Sequence, residues 1–218
     1  MHRRTTYHRG NPRNAIIDTA ATLIAEKGVD ALSVAEITRR LGVSGSVPYQ
    51  HFSGRDVLLA ATAAQTGRQL AASMKSAATA AVRRSAVEAE AAEALAAAAA
   101  AYVEFVAQHR VGFEFIFADD LNDLHHMELA EAGGAVMDVL LPLATAVVKQ
   151  PLAALSLVEQ CIAAAHGLGA LHITGATPHR LRASNALAAE AAQITRTLAA
   201  AASALATRQE TNDSLVRA

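Results

Sequence analysis

The sequence predicts an all-α fold, and three observations carry that expectation. Alanine, which has the best intrinsic helix propensity, dominates the composition. Glycine and proline, which interrupt helices, number only 12 and 5 in 218 residues. Apolar residues recur at three- and four-residue spacing, and no stretch shows the period of two that marks a strand.

The first ten residues carry Arg3, Arg4 and Arg9, with His2 and His8, and read as a flexible basic arm. Asn11-Pro12 then opens a helix, since Asn caps well and Pro suits the first helical position. Ile16, Ala20, Leu23 and Ile24 share one face, and Gly28 ends this helix. Ser33-Val34-Ala35-Glu36 forms a capping box for a short helix in which Val34, Ile37 and Leu41 share a face, closed by Gly42. Ser44 caps a third, very short helix ending near His51-Phe52. Ser53 and Asp56 loosely repeat the box for a fourth helix through Val57, Leu58 and Ala61. Ser85 and Glu88 repeat it for a long helix to about His109. Further helices are expected over about 111–118, 120–148, 151–174 and 178–206. Pro151 and Pro178 occupy first-turn positions, the latter after Thr177 as cap, and Gly175 closes the preceding helix. Pro142 should kink the 120–148 segment. The tail beyond about Arg208 is polar and expected to fray.

Charge is unevenly spread. Residues 1–68 hold nine basic and five acidic side chains, whereas 69–218 hold ten and fifteen. A basic front end on an acidic body suggests that one end meets an anion. Residues 33–52 read SVAEITRRLGVSGSVPYQHF: a short helix, a turn through Gly42 and a second short helix, which is a helix-turn-helix pattern. Ala35 is small enough for close helix approach, and Ile37, Leu41 and Val43 fill the space between the helices. The second helix presents Ser44, Gly45 and Ser46 from its first turn, so its backbone can come close to phosphates or base edges.

With those residues in view, 12–59 resembles the DNA-binding domain of the TetR family. The resemblance rests on A-x-x-L-I-A-E-K-G (Ala20 to Gly28), then S-V-A-E-I-x-x-x-L-G-V-S, then Y-x-H-F, then a basic residue three positions after the Phe. It implies that the third helix enters the major groove and that Tyr49 and Arg55 hold phosphates. Ser44, Ser46, Val47 and Gln50 are the candidates for base edges, with Gln50 able to pair with adenine and Val47 able to meet a thymine methyl. Ser33, Val34 and Gly45 complete the DNA-facing set. His51 is placed either to touch phosphate or to pack locally, and Phe52 is core. Arg3, Arg4 and Arg9 add charge contacts or reach the minor groove. Two departures stand out: Pro48 where many members carry Leu or Ile, and Gln50 in place of a common aromatic or basic residue.

Ala165-His166-Gly167-Leu168-Gly169-Ala170-Leu171, followed by Gly175, resembles the Trp-His-Gly signature of one TetR subgroup, with Ala165 replacing the Trp. The resemblance implies a homodimer held by the last two helices and a small-molecule pocket. Segments 151–174 and 178–206 fit such an interface: Leu155, Val158, Ile162, Leu187, Ile194 and Leu198 stand among alanines that let helices pack closely. Five of the eight aromatics fall between 102 and 117: Tyr102, Phe105, Phe113, Phe115 and Phe117. Tyr102, Phe105, Val106 and His109 share a helical face. The cluster reads either as core or, with Phe113, Phe117 and His166, as the wall of a pocket for a mainly apolar effector.

His125-His126 lies among Asp119, Asp120, Asp123 and Glu128, but adjacent helical residues point about 100° apart, so the stretch reads as a solvated acidic helix start and no metal is expected. There is no G-x-S-x-G, no P-loop and no Cys/His pair at a useful spacing, and Gly133-Gly134 lacks a strand context. No enzyme and no cofactor are expected. The lone Cys161 reads as a small buried residue. No signal peptide is apparent, and the uncharged run Ala94 to Val103 is too short to span a bilayer, so the expectation is a cytoplasmic protein without a membrane partner.

The expected organisation is a DNA-binding domain over 1–60, a helical sensing and dimerising domain over 61–208, and a polar tail over 209–218. The expected function is a sequence-specific transcriptional regulator, a ligand-responsive repressor that binds a palindromic operator in double-stranded DNA as a homodimer. The alternatives are a sequence-independent DNA organiser and a helical-bundle enzyme.

Overall fold

A computed structural model describes residues 11–84, 90–109 and 127–217. The described residues form seven α-helices and no strand: α1 Pro12–Lys27, α2 Val34–Leu41, α3 Arg55–Val82, α4 Glu90–His109, α5 Met127–Val147, α6 Pro151–Ile173 and α7 Ser184–Arg217. Short 3-10 turns cover Val29–Ala31, Pro48–Gln50 and His179–Leu181. The arm with Arg3, Arg4 and Arg9, the Ser85–Glu88 box, the aromatics Phe113, Phe115 and Phe117, and His125-His126 lie outside the described residues.

The chain forms two compact units. One comprises Met1–Gln69 and His109–Gly134, the other Leu70–Gln108 and Ala135–Ala218. In the first, α1 buries Ile16, Ile17, Ala20, Leu23 and Ile24, a 3.6-residue stripe, and packs on α2. Leu32, Ile37, Phe52 and Leu58 are buried in the same core. The caps follow local chemistry. Asn11 accepts the Arg13 N–H at 3.0 Å behind Pro12, and Ser33 Oγ accepts the Glu36 N–H at 3.5 Å. Only half of the Ser33–Glu36 box forms, because the Glu36 carboxylate turns to Arg39 and Arg40 instead of the Ser33 N–H. Gly42 closes α2 at φ 67, ψ 32, a left-handed conformation that costs other residues dearly, and Val43 N–H then returns to Thr38 O at 3.1 Å. Ala35 is exposed, not a helix–helix contact; the buried side chains of α2 are Ile37 and Thr38, while Leu41 and Val43 are half-buried.

In the second unit α4 is buried on most of its circumference, from Ala94 to Val106. On α6, Ala154, Leu157, Val158, Cys161, Ala165 and Gly169 form one buried row, and α6 packs on α7. Gly169 is a point of close approach: a Cβ there would lie 2.9 Å from Val106 Cγ1. Arg196 grips Glu93 through two hydrogen bonds of 2.8 and 3.0 Å. By length and composition α5 and α6 are apolar enough to cross a membrane, although α6 spends one face on that protein contact.

Two helix boundaries differ from the sequence expectation, both on α7. The helix expected from Pro178 begins at Ser184. Pro178 sits at ψ 144, Thr177 makes no cap, and a 3-10 turn carries Leu181 into the core first. The same helix continues to Arg217, because no Gly or Pro stops it before that point. Pro142 lies inside α5, which continues past it to Val147.

Candidate nucleic-acid interface

The short helix expected over 44–52 is a turn followed by one 3-10 turn. The reason is Pro48. It has no N–H to give the Ser44 carbonyl, and its ring occupies the space of that bond. The backbone bonds accordingly close over three residues up to His51: Val47 N–H to Ser44 O at 3.0 Å, Gln50 N–H to Val47 O at 3.1 Å, and His51 N–H to Pro48 O at 3.0 Å; Phe52 N–H then reaches four residues back to the same Pro48 O at 2.9 Å. Pro48 and Phe52 are buried and fix the segment to the core. Between and before them Ser44, Gly45, Ser46, Tyr49, Gln50 and His51 are exposed, and Val47 is half-buried. Ser44 and Ser46 hydroxyls meet at 3.1 Å. Tyr49 is 60% exposed, so its ring does not serve the core. His51 meets Phe52 edge-on, with centroids 6.4 Å apart. Of the α2 N-terminal pair, Ser33 is exposed and Val34 half-buried.

Arg55 is already engaged. Nε donates to Leu32 O at 3.2 Å and a terminal nitrogen to Val29 O at 2.9 Å, so the guanidinium clamps the α1–α2 connection. The α1–α2 pair is further tied by a chain of charges: Arg40 bonds Glu26 at 2.6 Å and Glu36 at 3.0 Å, and Arg39 bonds Glu36 at 2.6 and 2.8 Å. Hydrogen bonds from Arg39 and then Arg40 hold the Glu36 carboxyl down to about 2. Hydrogen bonding from Arg40 lowers Glu26.

Sequence reasoning missed Arg13. Its guanidinium donates to both oxygens of Glu128, at 2.9 and 3.1 Å, and lies 5.4 Å from the centroid of Phe52. The partners are 115 residues apart in sequence, and no local signal joins them.

Of the expected ligand-facing residues, Tyr102, Phe105 and Val106 are buried on α4, while His109 at the helix end is exposed. Tyr102 Oη meets His166 Nδ1 at 3.3 Å, which brings together the two polar groups singled out for a pocket. Phe113 and Phe117 lie outside the described residues. Of the expected interface side chains, Val158 and Leu187 are fully buried within their own unit. Leu155 is exposed, and Ile162, Ile194 and Leu198 are half-buried.

An exposed polar segment carried on a two-helix support, in an all-helical chain with a basic N-terminal end, is the construction of a helix-turn-helix DNA-binding regulator. Residues 16–62 match the family described as bacterial regulatory proteins, tetR family, and residues 95–195 match the tetracyclin repressor-like C-terminal domain. The chain belongs to the TetR family of DNA-binding transcriptional regulators. No curated protein matches it in sequence. Among solved structures it is similar to a Rhodococcus sp. protein of unknown function (26% identity over 88% of this chain and 97% of that one, TM-score 0.63). It shares its fold with a TetR-family transcriptional regulator from Streptomyces coelicolor (17% identity, 88% and 96% covered, TM-score 0.65). The same holds for the transcriptional regulator FadR from Bacillus subtilis, solved in complex with stearoyl-CoA (16% identity, 85% and 97% covered, TM-score 0.65).

Proposed function

We propose that this protein is a ligand-responsive repressor that binds a near-palindromic operator as a homodimer. The observation that carries the reading is the exposed row Ser44, Ser46, Tyr49 and Gln50, held outward by buried Pro48 and Phe52. Ser44, Ser46, Val47 and Gln50 face base edges, and Tyr49 holds a phosphate. Arg55 reaches a phosphate with the part of its guanidinium that the backbone leaves over, and Arg3, Arg4 and Arg9 add charge. Residues 1–60 bind DNA, 61–208 sense and dimerise, and 209–218 form the tail; the site of action is the cytoplasm, where the DNA is.

Dimerisation through α6 and α7 is supported by Leu152 and Leu205, 82% and 64% exposed, beside a groove of about 530 Å³ lined by Leu152, Ala153, Leu157, Leu198, Ala202 and Leu205. Isolated exposed leucines are ordinary; two beside one mainly apolar groove, edged by Gln150, Ser156, Gln160 and Gln209, support an interface there. A two-fold dimer presents two reading segments, with half-sites about one helical turn apart, near 34–36 Å. The effector is a small, mainly apolar molecule whose polar group meets Tyr102 and His166. It acts by binding one arrangement of the reading heads better than the other.

Selection of bound DNA from a random library, followed by titration at several salt concentrations, tests the reading. The expected result is an enriched palindrome bound far more tightly than scrambled DNA. Steep salt dependence with no enriched motif overturns it in favour of a DNA organiser. A monomer mass in sedimentation overturns the dimer.

A further inference from the structure

We infer that Pro48 sets the base preference of this protein through the backbone, by fixing the reading segment as a 3-10 turn instead of an α-helix. The inference rests on the proposal that Ser44–His51 reads DNA. The observation is the bonding pattern itself: Val47, Gln50 and His51 each donate to the carbonyl three residues back, and a four-residue bond returns only at Phe52, which donates to Pro48 O at 2.9 Å after the reading residues. The missing N–H and the buried ring of Pro48 forbid the α-helical bond to Ser44 O.

The consequence is angular. Successive residues of a 3-10 turn are rotated by about 120°, against about 100° in an α-helix. Residues three apart therefore eclipse in the 3-10 turn and are splayed by about 60° in the α-helix. Here Gln50 donates to Val47 O across the 3-10 turn, which brings Gln50 into line with Val47. Side-chain tips sit about 5–6 Å from a helix axis, so 60° moves a tip by about 5 Å. Base pairs are stacked about 3.4 Å apart. The displacement exceeds one base-pair step, so the two backbones aim Gln50 at different base pairs from the same support. Buried Pro48 and Phe52 anchor that support, and the shift cannot be absorbed by sliding the whole segment. Pro48 is thus a positioning residue: it is buried, touches no base, and decides which base Gln50 meets.

The test is DNA selection with the full-length wild type, Pro48→Ala, Pro48→Leu and Gln50→Ala. Gln50→Ala identifies the base pair that Gln50 reads, as the position where preference relaxes. The expected result is that Pro48→Ala and Pro48→Leu change discrimination at that pair by about tenfold or more, with the rest of the half-site kept. The same motif from wild type and both Pro48 variants overturns the inference while leaving the regulator reading intact. Failure of the wild type to enrich any motif overturns that reading and the inference with it. A second measurement does not depend on the variants folding. NMR of the wild type bound to its selected operator should show the Gln50 amide bonded to the residue three back. An α-helix over 44–51 in that complex overturns the inference outright.

Discussion

Arg55 and Leu32 are joined by a hydrogen bond of 3.2 Å, from the guanidinium Nε at the start of α3 to the main-chain carbonyl that precedes α2. The same side chain reaches Val29 O at 2.9 Å. A residue that the family pattern assigns to phosphate binding is therefore also a structural clamp.

The clamp predicts that Arg55→Lys, which keeps the charge but cannot fork across two carbonyls, lowers stability by about 1–2 kcal/mol. Urea denaturation reads that loss. Arg55→Ala should show the same loss, weaken binding to operator and scrambled DNA alike, and lower the salt slope by about one per contact. Wild-type stability in both variants would remove the clamp from the account.

Arg13 joins three parts of its unit: α1, Phe52 behind the reading segment, and Glu128 on α5. Its side chain is 34% exposed and that of Glu128 50%, so screening keeps the ion pair below about 1 kcal/mol despite its two-pronged geometry. A double-mutant cycle of Arg13→Ala with Glu128→Gln should give a coupling of that size, shrinking at high salt. The ring contact adds roughly 0.5–1 kcal/mol to the Arg13→Ala loss, independent of Glu128. A cycle with zero coupling would mean that the pair does not persist in solution.

Two glycines in helices should respond oppositely to alanine. Gly134 on α5 is exposed with nothing within 4 Å of an added Cβ, so Gly134→Ala should gain up to about 1 kcal/mol from helix propensity. Gly169→Ala gains the same term but drives a Cβ to 2.9 Å from Val106 Cγ1, and overpacking of about 1–3 kcal/mol outweighs it. Val106→Ala should be less harmful in the Gly169→Ala background than in wild type. Thermal melts of the four proteins decide this.

Glu36 governs part of the acid response. Its folded value, about 2, lies below its ordinary 4.5, so the stabilisation is complete above about 4.5 and is lost as pH falls from there through about 2. Glu26, under Arg40, and Glu93, under Arg196, shift in the same direction. A carboxyl NMR titration should find Glu36 protonating well below exposed glutamates, and Arg39→Ala should raise it. Titration with the ordinary glutamates would show that the pairing is transient.

Burial pushes the Cys161 thiol up to about 11. Alkylation of the native protein at pH 8 should therefore be slow and become fast in denaturant, because the thiolate is the reactive form. Rapid native alkylation would place Cys161 at a surface that opens readily.

What the sequence settles by itself is local. Asn11-Pro12, Ser33, Gly42, Pro151 and Gly175 mark helix ends because a cap is decided within about four residues of chain. The all-helical class follows from composition and period, and Phe52 as core from its spacing. Even the 3-10 turn at Pro48 has a local cause, although the short helix was expected there. Tertiary structure alone decides which groups meet. Nothing near Arg13 announces Glu128, and nothing near Arg55 announces the Val29 and Leu32 carbonyls. Periodicity names an apolar face but not its occupant: Val158 and Leu187 went into their own unit while Leu152 and Leu205 stayed outside, and Ala35 faces solvent. Caps and propensities are energies of neighbouring residues. Partners across a core are chosen by packing of the whole unit, and that choice is written in no single segment.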